Sequence, residues 1–416
     1  MARFSAMKVP DEARKGNEDN FMPSYVSIGP LHAHKNPQFK AMEDIKTKYV
    51  KSFLKRADPE KPPMKEQEIC GLLRTKASWS ASYFYAEEVT DGIREDFTQM
   101  LMRDGCFIIE FFLWQTESKE GEAVFIEIDP NYKIETKAIM KDLLLLENQL
   151  PWEVLELLFD GICKKTEINL ENLAFTSFQR LTPCKQMRPP SPPGTGKNIS
   201  SSIKKLHLLD CFRHYLLGSK ARNFDTGSRP VDPKFLNVPS VAELVEVKVK
   251  FTAILKSRYM ADITFAEQGE MKIPQICVDT YTEHLFRNLL AFERGDPNVP
   301  SLFTSYIVLL KYLIKTKEDA EHLQKTNVLT YYTSSENLVS FFHSLYIDTS
   351  FRSILYTGLR GDLNKFYNAR WNKWHAALIR NYCNNPWMII ATVGAFVIAG
   401  LTVVQTIYTI LGYHEP

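Results

Sequence analysis

The sequence has almost no excess of charge of either sign. Its 51 lysines and arginines oppose 49 aspartates and glutamates, which leaves a formal net charge of +2 over 416 residues. Binding to a phosphate backbone needs a positive surface that neutralises several phosphates. The composition therefore predicts no nucleic-acid partner. With 44% hydrophobic and 24% charged residues, the chain instead has the composition of a folded protein with a large core.

Paired cysteines are also missing. The seven cysteines are scattered without CxxC spacing, and an odd number cannot all pair within one chain. Reduced thiols in a cytosolic compartment fit this pattern best. The first twenty residues are rich in charge and lack the apolar segment of a signal peptide. They therefore predict that the chain has no N-terminal secretory signal.

Catalytic and ligand-binding motifs are absent or incomplete. Residues 191–198 read SPPGTGKN, which departs from the phosphate-binding loop GxxxxGK[ST] at Ser191 and Asn198, so we interpret the stretch as a linker. His32 and His34 lack a third metal ligand at a diagnostic spacing, and no GxSxG nucleophile elbow occurs. The sequence thus predicts no catalytic, cofactor-binding or metal-binding residue, and no cofactor.

One long uncharged stretch lies near the C-terminus. Residues 387–411 carry no charged side chain, and about 20 apolar residues suffice for a helix to cross a bilayer. We predict a single transmembrane helix from Trp387 to Leu411, after a break at 381–386 and before a short tail at 412–416. Basic residues precede the stretch and none follows it, which places the bulk of the chain in the cytosol. The short tail predicts insertion after synthesis, into either the plasma membrane or an endomembrane.

The predicted span and its flank suggest two further features. Ala391, Ala395 and Ala399 recur every four residues, a small-residue spacing that allows two helices to approach closely and would permit a homodimer. Residues 365–380 interleave basic and aromatic side chains at helical spacing. This pattern is typical of a helix on the bilayer surface, and the last helix of the folded domain is the alternative.

Residues 1–380 are predicted to form one mainly α domain. Apolar residues at helical spacing predict helices at residues 39–54, 96–114, 152–159, 207–217, 280–290, 302–314, 317–326 and 336–346. A further helix is predicted to end near Glu147, with Pro151 in the first turn of the next one. Thr280 and Glu283 match a capping box at the start of their helix.

A small antiparallel β element is the predicted exception to the helices. Residues 246–251 alternate polar and apolar side chains, and two short β-like runs flank Gly269. Pro274 restricts the second run to the edge of a sheet. The predicted fold class is therefore a multi-helix globular domain with a small antiparallel β element, plus one C-terminal transmembrane helix.

Two stretches have the composition of flexible surface insertions. Residues 183–204 are rich in proline, glycine and serine and contain no acid, and a second loose stretch covers residues 219–240. Exposed loops tolerate sequence change and often carry binding specificity. Asn198 begins a glycosylation sequon, which is used only if the domain faces a lumen.

Several polar side chains lie inside apolar stretches and are candidates for burial. They are Asp104, Glu110, Asp142, Glu147 and Asn148. Such groups usually cap helices or pair with arginines, and Arg213 and Arg287 are the candidate partners. Buried carboxylates also serve as acids and bases. The alternative function is therefore a membrane-bound enzyme of unknown reaction that uses Asp142, Glu147 or the Cys106 thiol.

Separated blocks of the sequence match a plant family in order. The matching residues include Ser27, Gly29, Pro30, Asp104, Gly105, Asp142, Glu147, Asn148, Pro151, Arg287 and Asn288. On these blocks the chain resembles, over nearly its whole length, the plant family catalogued as domain of unknown function 247, or uncharacterised protein family 0481. The blocks combine many apolar residues with a few polar ones, so we interpret their residues as fold determinants.

The resemblance implies a helical domain with a C-terminal membrane anchor, in a family with no established enzymatic activity. Members in grasses are implicated in pollen self-incompatibility as male recognition determinants. The chain departs from the family pattern before Val9, where the usual Ile-x-Arg is missing, and at Arg103, which replaces an apolar residue. The predicted function is a membrane-anchored, non-enzymatic plant protein in recognition or signalling, with the lipid bilayer and a further protein as partners.

Overall fold

The described part of the chain comes from a computed structural model. It comprises residues 8–32, 39–56, 66–76, 85, 94–117, 125–129, 132–162, 169–184, 187, 204–218, 237–257, 259–347, 355–369 and 386–413.

Most described residues are helical, and we number the helices in chain order. They are α1 (Asp11–Arg14), α2 (Phe39–Lys55), α3 (Glu66–Lys76), α4 (Arg94–Glu117), α5 (Thr136–Asp142), α6 (Trp152–Ile162), α7 (Leu170–Phe178), α8 (Leu208–Leu217), α9 (Val241–Glu246), α10 (Thr280–Gly295), α11 (Leu302–Leu313), α12 (Lys317–Lys325), α13 (Ser335–Ser344), α14 (Thr357–Asn368) and α15 (Pro386–Tyr413). The prediction of a mainly α fold is confirmed.

Seven short strands form three small sheets. They are β1 (Phe125–Asp129), β2 (Tyr132–Glu135), β3 (Lys250–Ile254), β4 (Thr264–Ala266), β5 (Glu270–Pro274), β6 (Ile276–Val278) and β7 (Leu329–Tyr331). Strands β1 and β2 form an antiparallel hairpin, and β6 pairs with β7 in parallel. The third sheet has the order β3–β5–β4.

The predicted sheet exists, but it is mixed and not purely antiparallel. Strand β5 pairs in parallel with β3 and antiparallel with β4. The reason is the chain path, because β4 lies within the connection from β3 to β5 and reverses direction before β5 begins. Pro274 is the last residue of β5, opposite Ile254 and beyond the residues that pair with β4. The backbone N–H that proline lacks is therefore not needed for pairing with β4.

One helix ends earlier than predicted. Helix α5 ends at Asp142, and turns follow it, whereas the sequence pattern predicted a helix to about Glu147. The amide of Asn148 donates to the Asp142 carbonyl at 2.9 Å, and the amide of Gln149 donates to the Leu143 carbonyl at 2.7 Å. These two side-chain amides thus bond to carbonyls that would otherwise accept from the backbone N–H groups of a further helical turn. Helix α6 begins at Trp152, so Pro151 precedes the helix and does not lie in its first turn.

Helices α2, α4 and α6 form the centre of the N-terminal half. Helix α4 contacts α2, α6 and α7. Its aromatic residues pack edge-on against these neighbours, with ring centroids of Phe107 and Tyr49 5.3 Å apart and those of Phe112 and Phe178 5.3 Å apart. The apolar side chains join one continuous core with those of α8, α10 and α11. This explains why the sequence of α4 is apolar on most faces.

Helix α15 covers the predicted transmembrane stretch. It extends from Pro386 to Tyr413, so Trp387 and Leu411 lie near its two ends. Upstream, α14 contains Phe366, whose ring packs 5.6 Å from that of Phe265. The first residues of the basic and aromatic stretch therefore belong to the folded domain. The remainder of that stretch and the predicted break at 381–386 lie outside the described residues.

The two predicted insertions also lie largely outside the described residues. Of the first, the structure describes Pro183, Cys184, Met187 and Lys204, and of the second only residues 237–240. Helix α8 connects the end of the first insertion to the start of the second. With ten residues it is about 15 Å long. The C-terminal end of the first insertion and the N-terminal end of the second therefore adjoin opposite ends of one buried helix.

The start of α10 differs by one residue from the predicted capping box. Asp279 is the N-cap, and its carboxylate accepts a hydrogen bond from the Thr282 N–H at 2.9 Å. The Thr282 hydroxyl in turn accepts one from the Asp279 N–H at 3.2 Å. The predicted pair of Thr280 and Glu283 was therefore wrong, because the backbone of Asp279, not that of Thr280, is extended.

This assignment predicts unequal effects of two neighbouring substitutions. Asp279→Ala should lower the free energy of unfolding by about 1 kcal/mol, because it removes the N-cap acceptor. Thr280→Ala should change it by less than half of that. Urea unfolding of the full chain in mild detergent, followed by tryptophan fluorescence, measures both. A larger loss for Thr280→Ala would contradict the assignment.

Candidate functional site

The polar residues of the sequence blocks meet around residues 24–29, which we call the N-terminal segment. Ser24 is exposed, Tyr25 is half-buried, and residues 26–29 are buried. The segment belongs to no helix or strand. The carboxylate of Asp142, fully buried at the end of α5, accepts N–H bonds from Ser24, Tyr25 and Val26 at 2.6–3.1 Å. Backbone N–H groups that lack a sheet partner thus find an acceptor in a side chain.

Asn148 and Asp104 continue this pattern along the N-terminal segment. The Asn148 carbonyl oxygen accepts from the Ile28 N–H at 2.6 Å, and its amide donates to the Val26 carbonyl at 2.9 Å. The Gly29 N–H donates to Asp104 at 2.9 Å. Each of these three side chains therefore satisfies backbone groups of the N-terminal segment.

A buried ion pair lies between α2 and α4. The Lys46 ammonium donates to Asp104 at 2.8 Å and to Glu43 at 2.7 Å, and it also donates to the carbonyl of Ser27. Both Lys46 and Asp104 are about 1% exposed. Burial raises the pKa of Asp104, and the Lys46 charge opposes that rise. The ammonium thus links two helices and the N-terminal segment.

Glu147 binds residues that precede the N-terminal segment. Its carboxylate accepts from the Val9 N–H at 3.0 Å and from the Arg14 guanidinium, and His32 Nε2 lies 3.4 Å away. Burial opposes ionisation, but hydrogen bonds from His32, Arg14 and Val9 outweigh it and lower the pKa of Glu147 to about 2. For Asp142, burial outweighs the backbone hydrogen bonds and raises the pKa to about 6.

Two amide side chains fix the turns between α5 and α6. Gln149 donates to the carbonyls of Leu143 and Leu145 at 2.7 Å and accepts from the Leu209 N–H at 3.0 Å. Asn288 of α10 accepts from the Leu146 N–H at 2.8 Å and donates to the Asn20 carbonyl at 2.9 Å. Residues from both halves of the chain thus meet here, and we call the whole set the polar network.

The remaining block residues have individual positions. Ser27 is buried, and Pro30 is partly buried at the end of the N-terminal segment. Gly105 lies where α4 crosses α6, and a Cβ atom there would come within 2.3 Å of Leu158 Cδ1. Pro151 is buried next to the start of α6. These residues shape close contacts and turns.

The arginines pair differently from the sequence prediction. Arg213 donates to Asp210 at 3.0 Å and to Glu293 at 2.9 Å, and all three are buried. Arg287 donates to Glu283 at 2.9 Å, one helical turn away. Neither arginine pairs with Asp142 or Glu147. Asp142 accepts from backbone N–H groups, and the arginine that pairs with Glu147 is Arg14. The Arg213 cluster joins α8 to α10.

The groups named for an enzymatic alternative are enclosed. Asp142 and Glu147 accept the hydrogen bonds given above, and Cys106 is fully buried in α4, where burial raises the pKa of its thiol. A buried, protonated thiol is a poor nucleophile. Within the described ranges no three His, Cys, Asp or Glu side chains form a possible metal site. His34 and residues 191–198 lie outside those ranges.

Helix α15 is almost wholly exposed, unlike the helices of the folded domain. Its stretch Ile390–Thr409 has a mean hydropathy of 2.0 and is not buried by the rest of the protein. Ala391, Ala395 and Ala399 are exposed. The hydroxyl of Thr402 donates to the carbonyl four residues before it, and Thr406 and Thr409 do the same. Among the described residues this helix is long and apolar enough to cross a membrane.

Comparison with known proteins decides the family. The family model described as a plant protein of unknown function, DUF247, matches residues 6–401. This chain belongs to the DUF247 family. The resemblance inferred from the sequence blocks is thus confirmed, and the polar network is built largely from residues that carried it.

Relatives of this DUF247 chain occur in Arabidopsis thaliana. UPF0481 protein At3g47200 is 25% identical over 432 residues, which cover 98% of this chain and 86% of that protein. Putative UPF0481 protein At3g02645 is 26% identical over 173 residues, which cover 41% of this chain and 32% of that protein. No solved structure matches significantly.

Sequence reasoning missed some members of the network. It did not single out Tyr85, whose hydroxyl donates to the Gln149 carbonyl at 2.6 Å, nor the amides of residues 24–26. No periodicity in the sequence marks these groups, since a backbone amide looks the same everywhere. A signal did exist for Gln149, which lies beside Asn148 in an apolar block where an unpaired amide would be costly.

Gly29 provides a test of the fit between the N-terminal segment and the turns. Its φ is +69°, and a Cβ atom would lie 2.8 Å from the Tyr85 hydroxyl and 3.1 Å from the Gln149 carbonyl oxygen. Gly29→Ala should therefore lower the free energy of unfolding by at least about 1–2 kcal/mol. The control Gly361→Ala lies in α14 with no atom near its Cβ, and it should stabilise by about 0.5–1 kcal/mol. Equal effects in urea unfolding would contradict the proposed fit.

Glu147 gives the polar network a defined pH dependence. Its pKa in the folded protein, about 2, lies below the ordinary value of 4.5, so ionised Glu147 stabilises the fold above pH 4.5 and this contribution is lost as the pH falls toward 2. The difference in unfolding free energy between the natural chain and Glu147→Gln should therefore shrink between pH 5 and pH 3. Asp142 titrates in both proteins, so its contribution to the unfolding free energy cancels in the difference. A constant difference would rule out this role of Glu147.

Proposed function

We propose that this DUF247 protein is a membrane-anchored, non-enzymatic protein that recognises a protein partner. One observation carries the proposal: the carboxylates of Asp142 and Asp104 and the amide of Asn148, all in the sequence blocks, are used for hydrogen bonds within the protein. Asp142, Asn148 and Asp104 point their acceptors at backbone N–H groups. Side chains that satisfy the protein's own backbone are fold determinants, and none of them is aimed at a substrate.

The anchor is supported by the geometry of α15. A helix of 28 residues is about 42 Å long, longer than the roughly 30 Å hydrocarbon core of a bilayer. The threonine hydroxyls that donate to their own helix backbone need no water. Together with the basic residues that precede the helix, this favours a single-pass anchor with the domain in the cytosol.

Recognition is assigned to the two insertions, residues 183–204 and 219–240. Their roots are fixed by α8, whose Arg213 is held by Asp210 and Glu293. A rigid helix with variable loops at both ends is a common arrangement for binding surfaces. Recognition is also the role that the resemblance implies for grass members in pollen self-incompatibility.

A homodimer through α15 is part of the proposal. Ala391, Ala395 and Ala399 lie within about 80° of one another around the helix axis at 100° per residue, and all are exposed. Small side chains in one row let two backbones approach closely in lipid. Single-molecule photobleaching of the full chain in membranes should show two steps, and a uniform single step would contradict the dimer.

The decisive experiment exchanges the insertions in the full, membrane-bound chain. Residues 188–203 and 219–236 are replaced together by those of a relative, and proteins crosslinked at the membrane are compared by mass spectrometry. The control exchanges four exposed residues of helix α12, Lys317, Glu318, Gln324 and Lys325. Partner identity should follow the insertions and ignore the control, and unchanged partners would contradict the proposal.

Protease protection of the same sealed membranes tests the side of the membrane. The domain should be digested from the cytosolic side, with Asn198 free of glycan. A protected domain with a glycan that Asn198→Gln removes would reverse the proposed orientation.

A further inference from the structure

Helix α2 carries an unusual charge distribution on its outer face. Lys40, Lys48, Lys51 and Lys55 are all exposed, and we call them the lysine stripe. At 100° per residue they lie within about 80° of one another around the helix, and at 1.5 Å per residue they extend over about 22 Å. The opposite face packs Phe39 and Met42 into the core, so the stripe is held rigidly outward.

The lysines of the stripe have no ion-pair partner in the described part of the chain. Other basic residues of the same region do: Lys46 pairs with Asp104, and Arg56 pairs with Glu110 and Glu117. One acid, Asp44, shares the stripe, which leaves a local charge of +3, more than the +2 of the whole chain.

Helix α12 does not show this segregation. Helix α12 presents Lys317 and Lys325 together with Glu318, and Lys317 lies 3.9 Å from Glu336 of α13. Mixed charges of this kind are typical of a solvated surface. Four lysines in one row repel one another, so a helix that carries them gains stability from an external anionic surface.

We propose that the lysine stripe of α2 lies against the anionic lipid headgroups of the bilayer that holds α15. This inference rests on the proposed anchor and its cytosolic orientation. The cytosolic leaflet is negatively charged, and each lysine near it raises the affinity of the protein for the membrane about fivefold. The stripe presents several lysines on one straight line, which matches a flat surface better than a concave pocket.

The covalent connection permits this contact. Ala369 and Pro386 are separated by seventeen residue steps, which limits their distance to about 60 Å. A compact domain of this size is about 50 Å across, so the connection lets faces other than the one that carries Ala369 approach the bilayer. The anchor also makes the bilayer a permanent neighbour at high effective concentration, which favours lipid over an acidic protein as the occupant.

The test measures lysine reactivity in the full chain, reconstituted into vesicles of phosphatidylcholine alone or with added phosphatidylserine. A membrane-impermeant amine reagent and mass spectrometry give a labelling rate for each lysine. The stripe lysines should label about fivefold more slowly in the anionic vesicles at low salt, and high salt should restore the rate. Lys250 and Lys272, which lie on the β3–β5 sheet, are internal controls and should not change.

Paired variants sharpen the result. Lys48→Gln with Lys51→Gln should restore fast labelling of Lys40 and Lys55 in anionic vesicles, whereas Lys250→Gln with Lys272→Gln should not. Equal labelling in both vesicle types, or equal slowing of stripe and control lysines, overturns the inference. Slowing that appears only after addition of an acidic protein extract, in both vesicle types, also overturns it.

The outcome is separable from that of the proposed function. If the proposed anchor fails, an alkaline wash removes the protein from both kinds of vesicle. If only the lysine stripe fails, the protein stays with both kinds of vesicle and its labelling is the same in each.

Discussion

The fold depends on one requirement: a buried chain segment outside any helix or strand must still find partners for its backbone N–H groups. Residues 26–29 are buried in this condition, and the carboxylate of Asp142 accepts from the amides of residues 24–26, where the segment enters the interior. An unpaired buried N–H costs about 1–3 kcal/mol. Asp142, Asn148 and Asp104 accept hydrogen bonds from these N–H groups and so remove that cost.

The same requirement explains how distant parts of the chain are joined. Lys46 connects α2, α4 and the N-terminal segment, and Asn288 of α10 connects the turns after α5 to Asn20. These two side chains thus join residues 20–29 to α2, to α4, to the turns after α5 and to α10. Loss of one partner leaves another buried group unsatisfied, so these contacts act as a unit.

In such a domain the interior side chains stabilise the fold, and other parts of the protein are available for function. In the proposed account, α15 attaches the domain to a bilayer, the insertions at the ends of α8 select a partner, and the lysine stripe of α2 sets the orientation of the domain on the lipid. Each of these features lies on the surface or at the end of a helix. The interior contributes rigidity.

The helices were predictable and the network was not, for physical reasons. Helices such as α2 and α4 follow from the spacing of apolar residues within a few turns. The pairing of Arg287 with Glu283 is also local, at four residues. Asp142, in contrast, accepts from amides 116–118 residues away, and Arg213 pairs with Glu293 across 80 residues. Such partners depend on the whole chain path, as does the parallel pairing of β3 with β5.

Hydrogen exchange of the backbone amides tests the central claim most directly. Amides in an irregular segment normally exchange fast, because nothing holds them. If the polar network binds the N-terminal segment as described, Tyr25, Val26 and Ile28 will exchange as slowly as the core amides of α4, through global unfolding alone. Fast exchange of these three amides while α4 remains protected would contradict the account.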